Sequence, residues 1–160
     1  MTATANGKAL GLTIPDKLIA LADDGNQSHQ RDGIGIVTKV LYVEHNDDNI
    51  YMLKTRLELL GGFEVLATGD SESGCELAVT EHPDVILMDL EMPVFDRWEP
   101  VRRLKKDAQT GHIPIIGMSA HALASEREQA IATGCDEFDA KPIEFEHLIA
   151  AIRRVLAKPK

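Results

Sequence analysis

Cysteine is scarce. Cys75 and Cys135 are the only two in 160 residues. They lie far apart with no partner at metal-ligand spacing, so the sequence suggests neither a disulfide framework nor a zinc site. Basic charge is short as well. Seventeen Lys and Arg stand against 26 Asp and Glu, a formal net charge of −9. That balance argues against a nucleic-acid surface, because phosphate binding needs clustered cations. No apolar run approaches the ~20 residues a membrane span requires, and the N-terminus lacks the basic-then-apolar layout of a secretory signal. There is no Gly-x-x-x-x-Gly-Lys-Ser/Thr stretch, which excludes a P-loop nucleotide enzyme. What remains is 44% hydrophobic and 27% charged, the balance of an ordinary globular protein. The length suits one domain with a tail. These counts predict a cytoplasmic, acidic, single-domain protein that by itself holds neither DNA nor a membrane.

The chain divides near residue 38. Residues 1–38 carry Gly7, Gly11, Gly25, Gly33 and Gly35, no aromatic residue, and one helix-like stretch from Pro15 to Ala22. Pro15 suits the first turn of that helix and Gly25 its end. Short isolated helices are marginal in water, so a tail is the expectation; docking through Leu18, Ile19 and Leu21 is the alternative. From Val37 onward apolar β-branched runs alternate with helical periodicity. Strands are expected at Val37 to Val43, Phe63 to Ala67, Asp84 to Asp89, Ile113 to Met118 and Glu137 to Ala140. Between them fall a helix with Ile50, Leu53, Leu57 and Leu60 on one face, stopped by Gly61-Gly62, and helices over Ser71 to His82, Trp98 to Asp107 and Ala120 to Thr133. A last helix runs from Phe145 to Leu156. Pro100 is tolerable in a first turn. Continuous apolar strands separated by helices call for a doubly wound parallel α/β sheet, five strands flanked by five helices.

In such sheets functional groups gather at the carboxyl ends of the strands, beside the point where strand order reverses. The strand ends here offer Glu44-His45, Asp89, Ser119 and Lys141. With strand order 2-1-3-4-5, Glu44 and Asp89 converge, and Ser119 and Lys141 approach from the other side. Two acids, a hydroxyl and an ammonium around one point suit a divalent cation and a phosphoryl group. A carboxylate nucleophile can accept phosphorus as an acyl phosphate. A dianion beside two carboxylates needs a counter-charge, hence Mg²⁺ and the point charge of Lys141. Ser119 can donate to a phosphoryl oxygen once one is present. Each residue alone has a plainer reading: Asp89 a solvated strand-end acid, Ser119 a cap for the fourth helix, Lys141 a surface lysine. His82, His112, His121 and His147 share no ligand-like spacing and read as surface residues. Phe95 and Trp98 read as packing, and so do Met88, Met92 and Met118.

Val43-Glu44-His45-Asn46, Leu87-Met88-Asp89-Leu90-Glu91-Met92-Pro93, Met118-Ser119-Ala120-His121-Ala122 and Ala140-Lys141-Pro142-Ile143 together resemble the receiver domain of two-component response regulators. The likeness covers Lys39 to about Ala157 and is strongest to stand-alone receivers of the chemotaxis and cell-cycle type, since no DNA-binding or enzymatic domain follows. The resemblance implies Asp89 as phospho-acceptor, Ser119 as switch hydroxyl, Lys141 as the lysine of the site and Phe138 as the aromatic switch. It also implies metal ligation by Glu44, Asp89 and the backbone carbonyl of Glu91, and a cis Lys141-Pro142 bond. The partners it implies are a sensor histidine kinase or histidine phosphotransfer protein upstream and a protein target at the helix 4–strand 5–helix 5 face. The chain would then be a monomer, or a dimer on activation, and a switch rather than an enzyme.

One departure matters. The family has two adjacent acids after the first strand; here the pair is Glu44-His45. Neutral imidazole is a poor ligand for a hard cation and imidazolium repels one. Weakened Mg²⁺ binding is the expectation. A softer ion such as Mn²⁺, or a protonated His45 supplying charge itself, are the alternatives. Asp47 and Asp48 read as helix-cap or helix-dipole residues rather than substitutes. Arg97 stands where the family has glycine, and would be mildly strained if the turn needs positive φ. The function expected is a phosphorylation-controlled signalling switch; the rival is a pseudo-receiver, an interaction module in which His45 disables metal binding. A flavodoxin-like cofactor binder is disfavoured because Glu44-His45-Asn46-Asp47-Asp48 would repel a phosphate.

Overall fold

The computed structural model describes residues 36–158 apart from Phe95 and Ala122. The helix expected at Pro15 to Ala22, and any docking through Leu18, Ile19 and Leu21, lie outside the described residues, as does the packing expected of Phe95. The described chain runs β1 (Thr38–Val43), α1 (Asp47–Leu60), β2 (Phe63–Thr68), α2 (Ser71–Glu81), β3 (Val85–Asp89), α3 (Glu99–Lys106), β4 (Ile115–Ser119), α4 (Ala124–Thr133), β5 (Glu137–Ala140) and α5 (Phe145–Ala157). The sheet has the order β2-β1-β3-β4-β5, with every pairing parallel, as the sequence led us to expect.

Strands β3 and β4 are buried along their full lengths, because a parallel strand with helices on both sides has no solvent face. Alternate side chains therefore feed two cores. Leu41, Val43, Ile86 and Met88 pack with Cys75, Val101, Leu104 and Phe138 on one side. Val40, Tyr42, Val85 and Leu87 pack with Leu53, Leu57, Leu148 and Ile152 on the other. Gly117 is needed for closeness: a β-carbon there would meet Leu90 Cδ1 at 2.9 Å and Cys135 Sγ at 3.0 Å. Gly61 and Gly62 take φ of 93° and 87°, which glycine adopts without strain, and so turn the chain from α1 into β2.

Five expectations need correction. Helix α4 begins at Ala124 rather than Ala120: Leu123 before it is extended, and Ala120 and His121 are tied to the Glu91 carboxylate through the Ala120 amide at 2.8 Å and His121 Nδ1 at 2.9 Å. Ser119 consequently caps no helix; the residue before α4 is Leu123, with no side-chain cap. Leu60 is 51% exposed; of α1 only Leu53 and Leu57 are buried. Arg97 is unstrained, for among the described residues His82 is the non-glycine with positive φ. Asn46, rather than Asp47 or Asp48, caps α1, its Oδ1 accepting from Asn49 N–H at 2.9 Å. The two aspartates occupy the first turn, where they complement the positive end of the helix. Met88, Met92 and Met118 are buried, and Trp98 packs against the first core.

Candidate functional site

Parallel register delivers the site. Val43 pairs with Met88 and Asp89 with Met118, so Glu44, one step beyond β1, reaches the rim where β3 ends in Asp89. The Lys141 amide donates to the Ser119 carbonyl at 2.9 Å, and the Lys141-Pro142 bond that follows is cis. Lys141 Nζ lies 3.3 Å from Glu44 Oε1 and 3.2 Å from Asp89 Oδ1. His45 Nδ1 lies 3.4 Å from Asp89 Oδ2 and 3.8 Å from Glu44 Oε2. Glu44, His45, Asp89 and Lys141 are thus brought together.

Their environment is not that of surface charges. Glu44 is 0% and Asp89 1% exposed. Glu44 Oε1 accepts from the Tyr42 hydroxyl at 3.2 Å and Oε2 from the Asn46 amide at 3.1 Å. Burial, together with the charge of Glu44, pushes the Tyr42 hydroxyl far above its usual range, so it acts as a neutral donor. Asp89 Oδ1 accepts from the Glu91 amide at 2.9 Å, yet the buried Oδ2 has no hydrogen-bond partner among the described residues. Burial raises the Asp89 carboxyl above its ordinary value; the Glu91 amide and Lys141 pull it back, while Glu44 adds to the rise. Lys141 is shifted upward: burial opposes its charge, but Asp89 and Glu44 outweigh burial.

Ser119 is fully buried but faces elsewhere. Its hydroxyl donates to Glu91 Oε2 at 3.0 Å, with Glu126 Oε2 at 3.4 Å, and accepts from the His121 amide at 3.0 Å. Among the described residues its Oγ makes no hydrogen bond to Asp89 or Lys141. The Glu91 side chain was not legible in the sequence as part of the site. One oxygen, Oε2, receives the Ser119 hydroxyl, the Ala120 amide at 2.8 Å and His121 Nδ1 at 2.9 Å. Burial works against its charge, but the Ala120 amide, Ser119, His121 and Lys141 together hold its carboxyl below the usual range. Arg97 clasps Glu126 of α4 at 2.8 and 2.9 Å. These contacts tie the loop after β3 to the loop after β4. No local signal announces them, because Glu91 and Ser119 are 28 residues apart. Phe138 is buried at 5% exposure within the first core, and its carbonyl accepts from Arg127 at 3.3 Å. His147, read from the sequence as a surface residue, is exposed and pairs with Asp139 at 2.8 Å.

Glu44, His45 and Asp89 each offer a ligand atom within 4.8 Å of the others. Two buried carboxylates, one with an unpartnered oxygen, lack one positive charge after Lys141 is counted. A divalent cation fits that donor set.

Comparison with known proteins agrees with this geometry. The model of the response regulator receiver domain matches residues 40–153. The polar-differentiation response regulator DivK of Brucella ovis is 32% identical over 117 residues, 73% of this chain and 94% of DivK. The receiver domain of a sensor histidine kinase from Pseudomonas aeruginosa PAO1, solved with magnesium coordinated in its active-site cleft, is similar with a TM-score of 0.69 at 28% identity. That likeness covers 76% of this chain and 99% of the other. The chemotaxis protein CheY4 of Vibrio cholerae is similar with a TM-score of 0.69 at 26% identity, covering 74% and 98%.

Proposed function

The chain belongs to the response regulator receiver family, and from that premise we propose that it is a cytoplasmic, single-domain signalling switch phosphorylated on Asp89. The single observation that carries this reading is the Asp89 carboxylate, buried at the rim of the sheet with Lys141 Nζ 3.2 Å away and one oxygen unpartnered. Residues 39–157 form the receiver and 1–38 an extension to it. The phosphoryl group comes from a phosphohistidine on a kinase or phosphotransfer protein. An Asp89 oxygen attacks phosphorus, the P–N bond breaks, and the imidazole leaves with its electron pair and takes a proton from solvent. Lys141 stands within reach of the group so formed and balances part of its charge. Ser119 becomes its donor on leaving Glu91. Glu44, Asp89 and the Glu91 carbonyl would hold Mg²⁺, which supplies charge neutralisation between phosphoryl oxygens and carboxylates.

The output in this reading is the face formed by α4, β5 and α5. Ser119 and Arg97 connect the site to α4, and the buried Phe138 sits on β5 beside it; a changed Ser119 contact therefore has a short path to that face. A protein target binds there, and activated chains dimerise through it if they dimerise at all. Turnover is limited to self-catalysed phosphorylation and loss of the group. One observation favours a second reading, a pseudo-receiver that signals without phosphate: an imidazole occupies the rim 3.4 Å from Asp89. Incubation with acetyl phosphate and Mg²⁺, followed by intact mass, separates the two. A phosphate adduct on the wild type, absent from Asp89→Asn, supports the switch. Wild-type protein without an adduct at any metal concentration or pH overturns it.

A further inference from the structure

Each buried carboxylate at the rim is used asymmetrically. Glu44 Oε1 and Asp89 Oδ1 face Lys141 at 3.3 and 3.2 Å. Their other oxygens face the imidazole: His45 Nδ1 is 3.8 Å from Glu44 Oε2 and 3.4 Å from the unpartnered Asp89 Oδ2. Two ligands bound at 2.0–2.1 Å to one ion lie roughly 2.9–3.4 Å apart between octahedral and tetrahedral angles. Nδ1 and Oδ2 already have nearly that separation. The His45 side chain is 47% exposed, which leaves the ion a way in from solvent.

From this geometry we propose that the rim is a mixed nitrogen–oxygen site, with His45 Nδ1 a ligand beside Glu44 and Asp89, that selects a divalent first-row transition ion over Mg²⁺. The inference rests on the reading of Glu44 and Asp89 as cation ligands given above. Mg²⁺ takes oxygen donors and gives up its water reluctantly. Imidazole adds little for Mg²⁺ but bonds Mn²⁺, Co²⁺ and Zn²⁺ with rising strength. Replacing a carboxylate by imidazole at position 45 also lowers the negative charge of the cluster, which costs a hard ion more than a soft one. The Lys141 ammonium is fixed to Oε1 and Oδ1, so it does not compete for the oxygens that face His45.

The test is equilibrium dialysis of the full chain at about pH 8, where imidazoles in general are unprotonated, against Mg²⁺, Mn²⁺ or Co²⁺ alone, with bound metal counted by elemental analysis. The expected result is Co²⁺ held at least ~10-fold more tightly than Mg²⁺, the scale on which groups that shape a metal site act, with Mn²⁺ between them. Bound Co²⁺ should show visible d–d bands. His45→Asp should strengthen Mg²⁺ and compress the ratio; His45→Ala should weaken Co²⁺ and leave Mg²⁺ little changed. Asp89→Asn should abolish tight binding of all three. Equal affinities in the wild type, a Co²⁺ to Mg²⁺ ratio unmoved by His45→Ala, or Co²⁺ binding that survives Asp89→Asn would each overturn the proposal. None of these readouts involves phosphate, so failure of the metal preference is distinguishable from failure of Asp89 to be phosphorylated.

Discussion

Asp89→Asn should make the protein more stable. The side chain is 1% exposed, and its ionised form shares the rim with the Glu44 carboxylate and the Lys141 ammonium, two negative charges for one positive. Asparagine keeps the shape. Its carbonyl oxygen can still accept from the Glu91 amide, which donates to Oδ1 at 2.9 Å, and its amide group, in the place of the unpartnered Oδ2, can donate to His45 Nδ1, 3.4 Å from that oxygen. Loss of the attraction to Lys141 is offset by loss of the repulsion from Glu44. What remains is the desolvation of an unsatisfied buried oxygen, about 1–3 kcal/mol; taking the lower half of that range, the melting temperature should rise by about 3–8 °C for a domain of this size. The pH dependence has a definite sign. Burial first, and Glu44 with it, raise the folded carboxyl above its unfolded value. Stability from this group is therefore full below the unfolded pKa and lost as pH rises through the folded one. The advantage of Asp89→Asn should be largest at neutral pH and vanish below about pH 4. Thermal melts at several pH values in a metal-free buffer measure it. A variant melting at or below the wild type at neutral pH would refute the claim that this carboxylate is held at a cost.

Lys141→Met should do the opposite, leaving two buried carboxylates without their ammonium; the loss expected on removing one partner of a buried ion pair is about 3–5 kcal/mol, and urea denaturation at neutral pH reads it. Adding Asp89→Asn to that variant should restore much of the loss, and simple additivity of the two changes would count against a shared site. Glu91→Gln should loosen the loop after β4: amide hydrogen exchange at Ala120 and His121 should quicken with little change at the core strands, at a cost of about 1 kcal/mol, reduced from the value for charged hydrogen bonds because Glu91 is partly exposed. Because the Glu91 carboxyl is held below its usual range in the fold, its contribution is present above the unfolded pKa and lost as pH falls through the folded one. Wild-type protection at Ala120 should therefore collapse in acid, the reverse of the Asp89 trend. Unchanged exchange in Glu91→Gln would mean that the triple contact does not hold this loop.

What the sequence disclosed and withheld follows from the range of the forces concerned. β1, β3 and β4 were legible because a strand buried on both faces must be written as an unbroken apolar run, as in Val85 to Met88. Parallel pairing then brings the carboxyl ends to one rim, so the meeting of Glu44, Asp89 and Lys141 could be foreseen from strand order alone. The start of α4 could not. Ala120, His121, Ala122 and Leu123 read as helix by propensity, and what holds Ala120 and His121 is a carboxylate from a distant loop. Leu60 carries the right period but stays half exposed at the last residue of α1, and periodicity does not say how far along a helix the buried stripe runs. The orientation of Ser119 was hidden for the same reason as Glu91: a side-chain contact across 28 residues leaves no local trace.

The distribution of donors around the rim is itself an argument about purpose. A fold selected only for stability gives its hydrogen-bond donors to the groups most deeply buried. At Asp89 that rule is broken. Glu91, whose side chain is 24% exposed, collects three donors on one oxygen, while Asp89, with its carboxylate out of water, keeps an oxygen that has no hydrogen-bond partner among the described residues. Tyr42, Asn46 and Lys141 all serve Glu44, so donors are not lacking in the neighbourhood; they are arranged around Asp89 without completing it. An imbalance of this kind persists where activity opposes stability. It leaves one carboxylate oxygen, Oδ2, desolvated and without a hydrogen bond among the described residues, while the ammonium of Lys141 sits on the other. It also leaves Ser119 and the Ala120 amide occupied by an anion that is already partly in water and can be displaced at modest cost. The two halves of the rim thus differ in kind, the buried half short of positive charge and the outer half supplied with hydrogen-bond donors, and a group that adds oxygen atoms to Asp89 would act on both at once.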